Sequence, residues 1–152
     1  MTRINCRWRF KRDHFGASGV TLAMTDTSTG TARIERTGGC ACGAIRFVAT
    51  GEPLRMGLCH CLTCQRAHAA AFYPFIVYDR AQVRFSGDVR TWQSSPPYHR
   101  LFCAGCGSQV IGMSANEAEL SPGSFDEPVP FVPEYESWVI RRLAWVPALD
   151  VA

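Results

Sequence analysis

Phe102-Cys103-Ala104-Gly105-Cys106-Gly107 is the stretch on which the fold turns. Two thiols three positions apart sit between short runs, Arg100 to Cys103 and Ser108 to Ile111, that read as the arms of a hairpin. The glycines let backbone amides tilt toward both sulfurs, which makes the segment a zinc knuckle. A knuckle supplies two ligands and a tetrahedral ion needs four. Outward from it lie Cys40-Ala41-Cys42 and Cys59-His60-Cys61-Leu62-Thr63-Cys64, so seven of the eight cysteines fall into three tight groups. Seven is one short of two full sites. One site closed by four thiolates would be structural, and one with three ligands and an open position would be of the catalytic type. Cys42 is followed by Gly43 and Cys106 by Gly107, and this symmetry favours Cys40, Cys42, Cys103 and Cys106 as the structural set. Spacing alone leaves other pairings open. Four disulfides are the competing reading, but partners one residue apart would be strained, and no apolar secretory signal opens the given sequence. Two zinc ions in a reducing, cytoplasmic setting are expected.

Around the cysteines the signals are those of short strands. Ile45, Phe47 and Ala49 alternate with Arg46 and Val48, Leu54 to Cys59 makes a second strand, and Phe72 to Tyr78 is an aromatic and β-branched run. Val83 to Phe85 and Val89 to Trp92 flank a Ser86-Gly87-Asp88 turn. Leu62 to Ala71 alone looks helical, and nine prolines argue against long helices. A mostly β domain of antiparallel sheets, stapled by zinc and carrying one short helix, is predicted over residues 38–150. Residues 1–37 are read as a disordered tail, with Met24 as the true start, residues 1–23 as upstream sequence, and Cys6 as a spare thiol.

Charge narrows the function classes. Arg3, Arg7, Arg9, Lys11 and Arg12 stand against Asp13 alone in residues 1–23, which more than accounts for the net charge of +3. The domain body therefore lacks the basic surface that nucleic-acid binding needs, and no nucleic-acid partner is expected. The longest apolar stretch, Ala69 to Tyr78, is too short to span a bilayer and contains Pro74, so no membrane partner is expected. Composition is silent on the oligomeric state.

Cys59, Cys61 and Cys64 remain for the second ion. In an extended segment Cys59 and Cys61 face one way and His60 the other, which takes His60 out of the ligand set. Such a site suits a soft exogenous ligand, and a substrate thiol is the natural choice. His68, four residues after Cys64, has an acceptable ligand spacing and would close the site, although an exposed helix face is the commoner place for such a histidine. Arg66 is a candidate for binding the carboxylate of an acidic thiol, or else a solvated helix residue. Trp92, Phe102, Phe125, Trp138 and Trp145 are read as core. Tyr98, His99 and Arg100 carry no specific signal. No phosphate-binding loop, Ser/His/Asp set or pair of catalytic carboxylates is found in the sequence.

Gly39 to Phe47, Cys59 to Arg66 with Ala70-Ala71-Phe72, and Phe102 to Gly107 together resemble the glutathione-dependent formaldehyde-activating enzyme family, which includes centromere protein V. Gly123 to Pro128 and Tyr135 through Trp145 resemble that family's closing segments. The resemblance implies a β-tent fold with two zinc sites, the structural one on Cys40, Cys42, Cys103 and Cys106 and the active-site one on Cys59, Cys61 and Cys64. It implies condensation of formaldehyde with glutathione to S-(hydroxymethyl)glutathione, a carbon–sulfur lyase reaction in which the thiol sulfur fills the open zinc position. Two departures stand out: His68-Ala69 replaces a small polar residue and glycine, and the segment Met113 to Pro122 is short. The competing function is a non-enzymatic zinc-binding interaction module.

Overall fold

Alternation at Ile45, Phe47 and Ala49 does what a half-buried strand requires, since all three side chains are buried while Arg46 is exposed. The computed structural model describes residues 34–150, and the expectations about a disordered tail, a Met24 start and Cys6 lie, up to residue 33, outside the described residues. The described residues belong to the unit that spans residues 31–152.

Two sheets make up this unit. With strands numbered along the chain, β1 (Glu35–Gly39), β2 (Arg46–Thr50) and β5 (Val83–Ser86) form a three-stranded antiparallel sheet in the order β1-β2-β5. The larger sheet runs β10 (Tyr135–Ser137), β3 (Arg55–Cys59), β4 (Tyr73–Asp79), β9 (Glu117–Leu120), β8 (Gln109–Met113), β7 (Tyr98–Cys103) and β6 (Val89–Ser95). Every pair is antiparallel except β10 with β3. Among the described residues the one α-helix, α1 (Leu62–His68), ends where Ala69 takes a left-handed conformation.

Register assigns each face of the large sheet a task. Ile76, Leu120, Ile111 and Leu101 oppose one another in a row across β4, β9, β8 and β7. Their side chains pack with Ile45, Phe47, Ala49 and Val83 of the small sheet into the main core. One residue along, Val77, Glu119, Gly112 and Arg100 form the neighbouring row, which by the two-residue alternation points to the opposite face. That face packs Tyr73, Phe75 and Val77 against Cys64 of α1.

Two expectations are corrected here. The sheet begins at Glu35, inside the expected tail, because Glu35, Arg36 and Thr37 pair with Thr50, Ala49 and Val48. Arg36 adds a 2.7 Å bond to the Gly51 carbonyl. The expected Ser86-Gly87-Asp88 turn lies between β5 and β6, and since β5 pairs with β2 and β6 with β7 it hands the chain from one sheet to the other. Trp92, Trp138 and Trp145 are 50%, 64% and 73% exposed rather than core. Trp92 lies on β6, at the edge of the sheet, and the other two lie in the closing segment. Among the described residues no helix is long and apolar enough to cross a membrane.

Candidate functional site

Cys40 follows β1 directly and opens the turn to β2, and Cys103 ends β7, so the two hairpins that carry the pairs belong to different sheets. Gly43 and Gly107 both take left-handed φ values, +80° and +75°, and donate to the carbonyls of Cys40 and Cys103 at 3.0 Å each. The matching turns bring Cys40, Cys42, Cys103 and Cys106 together, with all four sulfurs within 4.8 Å of one another. Cys40 Sγ and Cys42 Sγ are 3.5 Å apart, and Cys42 Sγ and Cys103 Sγ 3.7 Å. A tetrahedron with 2.3 Å metal–sulfur bonds has edges of about 3.8 Å, so this set has the dimensions to hold a zinc-sized ion.

The second set is Cys59, Cys61 and Cys64, again with sulfurs within 4.8 Å. Cys59 ends β3, Cys61 is the N-cap of α1, and its sulfur accepts from the Cys64 amide at 3.3 Å. The hydrogen bond from Cys64 pushes the Cys59 thiol down to about 5, while the same bond and burial push Cys64 up. Neither histidine joins the sulfurs. His60, fully buried, bonds Glu136 at 2.8 Å, and Glu136 accepts from Arg142 at 2.9 Å and from the Leu149 amide at 3.2 Å. That network fastens the closing segment to the cysteine strand.

His68 corrects the expectation of an exposed helix face. Its ring stacks on Tyr73 at 3.9 Å. Arg100 Nη1 lies 3.5 Å from His68 Nε2, and because a guanidinium can only donate, Nε2 must accept. Burial first, and the Arg100 charge second, push His68 down to about 4, so it is neutral at physiological pH.

Arg100 is the residue that the sequence reading passed over. It is 4% exposed, and its fork spreads over Cys64 Sγ at 3.3 Å, Ser94 Oγ at 3.2 Å and Gln109 Oε1 at 3.3 Å. Three thiolates around a divalent ion would leave one excess negative charge, which a buried guanidinium on Cys64 is placed to offset. Arg66, offered earlier as the anion-binding residue, is exposed and does not line the cavity.

That cavity, of about 610 Å³, opens beside the three cysteines and is also lined by Tyr98, Arg100, Glu119, Trp138 and Arg141. Its volume suits a ligand of tripeptide size. Tyr98 reaches across the sheet to donate a 2.6 Å bond to Glu119 Oε2. It can do so because position 112 is glycine: a Cβ there would fall 1.7 Å from Tyr98 Oη and 2.6 Å from Cζ. Gly112→Ala should therefore force the Tyr98 ring aside and cost about 1–3 kcal/mol through overpacking. A melting temperature lower by several degrees is expected, and an unchanged melt would show that the ring moves freely. Strand alternation at Tyr98/Arg100 and at Glu117/Glu119, with a glycine between them in register, was the signal available in the sequence. It becomes readable only once the strand order is known.

A family model described as glutathione-dependent formaldehyde-activating enzyme matches residues 35–141. An uncharacterized lyase of Schizosaccharomyces pombe is 32% identical over 76 residues, covering 50% of this chain and 56% of that protein. The chain thus spans little more than half the length of that relative. A crystal structure of a Rhodobacter sphaeroides protein superposes with a TM-score of 0.52 at 18% identity, over 62% of this chain and 91% of that one, a likeness of fold.

Proposed function

The chain belongs to the glutathione-dependent formaldehyde-activating enzyme family, and from that premise we propose that it is a lyase-type enzyme joining a small thiol of the glutathione kind to a small aldehyde such as formaldehyde. The observation that carries the reading is the division of the cysteines. Four gather where the two sheets meet, and three gather on the wall of a ligand-sized cavity with an arginine on one sulfur. A zinc ion on Cys59, Cys61 and Cys64 would supply a Lewis-acid position that keeps a bound thiol deprotonated. A second zinc on Cys40, Cys42, Cys103 and Cys106 would be structural.

The chain's own residues do the rest. Arg100 offsets the excess charge of the cysteines, so an entering thiolate meets a near-neutral site. Arg141, exposed and lining the cavity, offers a guanidinium to a substrate carboxylate, the role first considered for Arg66. Phe75, Tyr135 and Trp138 give the cavity apolar surface, which limits water around the reacting carbon.

Zinc-edge X-ray absorption with and without glutathione tests the reading. The expected result is two zinc ions per chain and one new sulfur neighbour at ~2.3 Å at the second ion when glutathione is added. His68→Ala should keep both ions and give the same new neighbour, because His68 lies outside the sulfur group. An unchanged shell at saturating thiol would overturn the enzyme reading and favour an interaction module, for which the exposed Trp138, Ile140 and Trp145 would be the surface.

A further inference from the structure

Among the described residues that line the cavity, Glu119 is the sole carboxylate. Its neighbour on the same face of β9, Glu117, is tied up by Arg55 through two bonds of 2.7 Å. Glu119 has no such clamp. Tyr98 Oη donates to its Oε2, and among the described residues Oε1 accepts no hydrogen bond. Gly112, opposite it on β8, contributes no side chain, so nothing on that strand stands between Glu119 and Arg100. Burial pushes the Glu119 carboxyl above the usual range, against the opposing effects of the Tyr98 bond and Arg100, whereas Arg55 holds Glu117 below it. Two carboxylates on one strand face, with environments that drive them apart, are the pattern of one structural and one proton-carrying group.

We infer that Glu119, positioned by Tyr98 across Gly112, carries the proton between the incoming thiol and the aldehyde oxygen. The inference rests on the thiol reading above and assigns its acid–base residue. In the first half-step the thiol S–H bond breaks and its proton passes to Glu119. In the second, the sulfur lone pair forms the C–S bond, the carbonyl π pair moves to oxygen, and Glu119 returns the proton to that oxygen. The product is the hydroxymethyl thioether, nothing is oxidised or reduced, and Glu119 ends as it began. A carboxyl shifted upward by burial accepts and returns the proton near neutral pH better than an ordinary glutamate does. The charged and titratable groups around it are Tyr98 and Arg100 from β7, Tyr73 from β4, and Arg55 and Cys59 from β3.

Titration calorimetry of the zinc-loaded protein with glutathione at neutral pH, in two buffers of different ionisation heat, counts protons released per thiol bound. The wild type should release well under one, because Glu119 retains the proton, and Glu119→Gln should release close to one. The same variant should lose about 10²–10⁴-fold in the rate of condensation with formaldehyde. Tyr98→Phe should move the acid limb of the pH–rate profile upward, since the lost bond favoured the ionised carboxylate. Equal proton release from wild type and Glu119→Gln, or an unchanged rate in Glu119→Gln, would overturn the inference and leave thiol binding intact. An unmoved acid limb would overturn the role given to Tyr98. Failure of the wild type to bind glutathione at all would overturn the thiol reading and the inference with it.

Discussion

Serine in place of Cys40 or Cys103 is expected to leave no soluble, cooperatively folding protein. The proposed structural ion would join the turn after β1 in the small sheet to the turn between β7 and β8 in the large one. Its ligands would tie together Cys42 and Cys103, which lie 61 positions apart in the chain. Zinc on four thiolates contributes about 10–16 kcal/mol in small domains, against a net stability of about 5–15 kcal/mol for a whole domain. Losing one thiolate removes most of the first figure, and no core of this size could absorb that. Cys40 and Cys103 are the right pair to replace because they are 8% and 3% exposed, so a serine hydroxyl is also buried among apolar side chains. Thermal melts followed by circular dichroism, with metal analysis on the same samples, give the result. A soluble Cys40→Ser protein that melts cooperatively and holds two ions would sink the structural assignment.

Much of this architecture was legible because cysteine spacing and strand alternation are local signals. The glycines beside Cys42 and Cys106 mark the turns of the two hairpins whose sulfurs lie together, and Ile45, Phe47 and Ala49 correctly named the face of β2 that is buried. What escaped was whatever depends on strand order. Arg100 and Glu119 lie 19 positions apart in the sequence, yet they flank Gly112 in one row across β7, β8 and β9. Nothing in either local stretch says that a register of three strands will put them on one cavity. Of the two readings open for Arg66, carboxylate binder or solvated helix residue, its exposure on α1 fits the second, and the sheet supplies the arginine at the cysteines. The tryptophans misled for another reason. A large apolar ring indicates area that is worth burying, not which side of an edge strand it occupies, and Trp138 serves the cavity wall while remaining mostly exposed.

Alanine at Cys59, Cys61 or Cys64 is expected to remove the second ion and all glutathione binding while the two sheets stay folded, yet the three positions are not equivalent. Cys59 and Cys61 are half-buried, whereas Cys64 is 5% exposed and carries the Arg100 guanidinium on its sulfur. Losing Cys59 or Cys61 removes a ligand. Losing Cys64 also strips a buried cation of its anionic partner, and breaking a buried pair from one side costs about 3–5 kcal/mol. The cost here should sit at the lower end, since Ser94, Gln109 and the Tyr98 ring still meet the guanidinium. Melting temperatures should therefore fall in the order Cys64→Ala furthest, then Cys59→Ala and Cys61→Ala close together. Pairing Cys64→Ala with Arg100→Leu should recover part of the loss, because the orphaned charge leaves with its partner, and the double-mutant cycle measures that coupling directly. If Cys64→Ala melts no lower than Cys61→Ala, and the cycle closes with no coupling, then Arg100 is not the charge partner of the cysteine site. Its burial would then need another cause, and Arg141 would be left as the cationic side chain on the cavity available to a thiol's carboxylate.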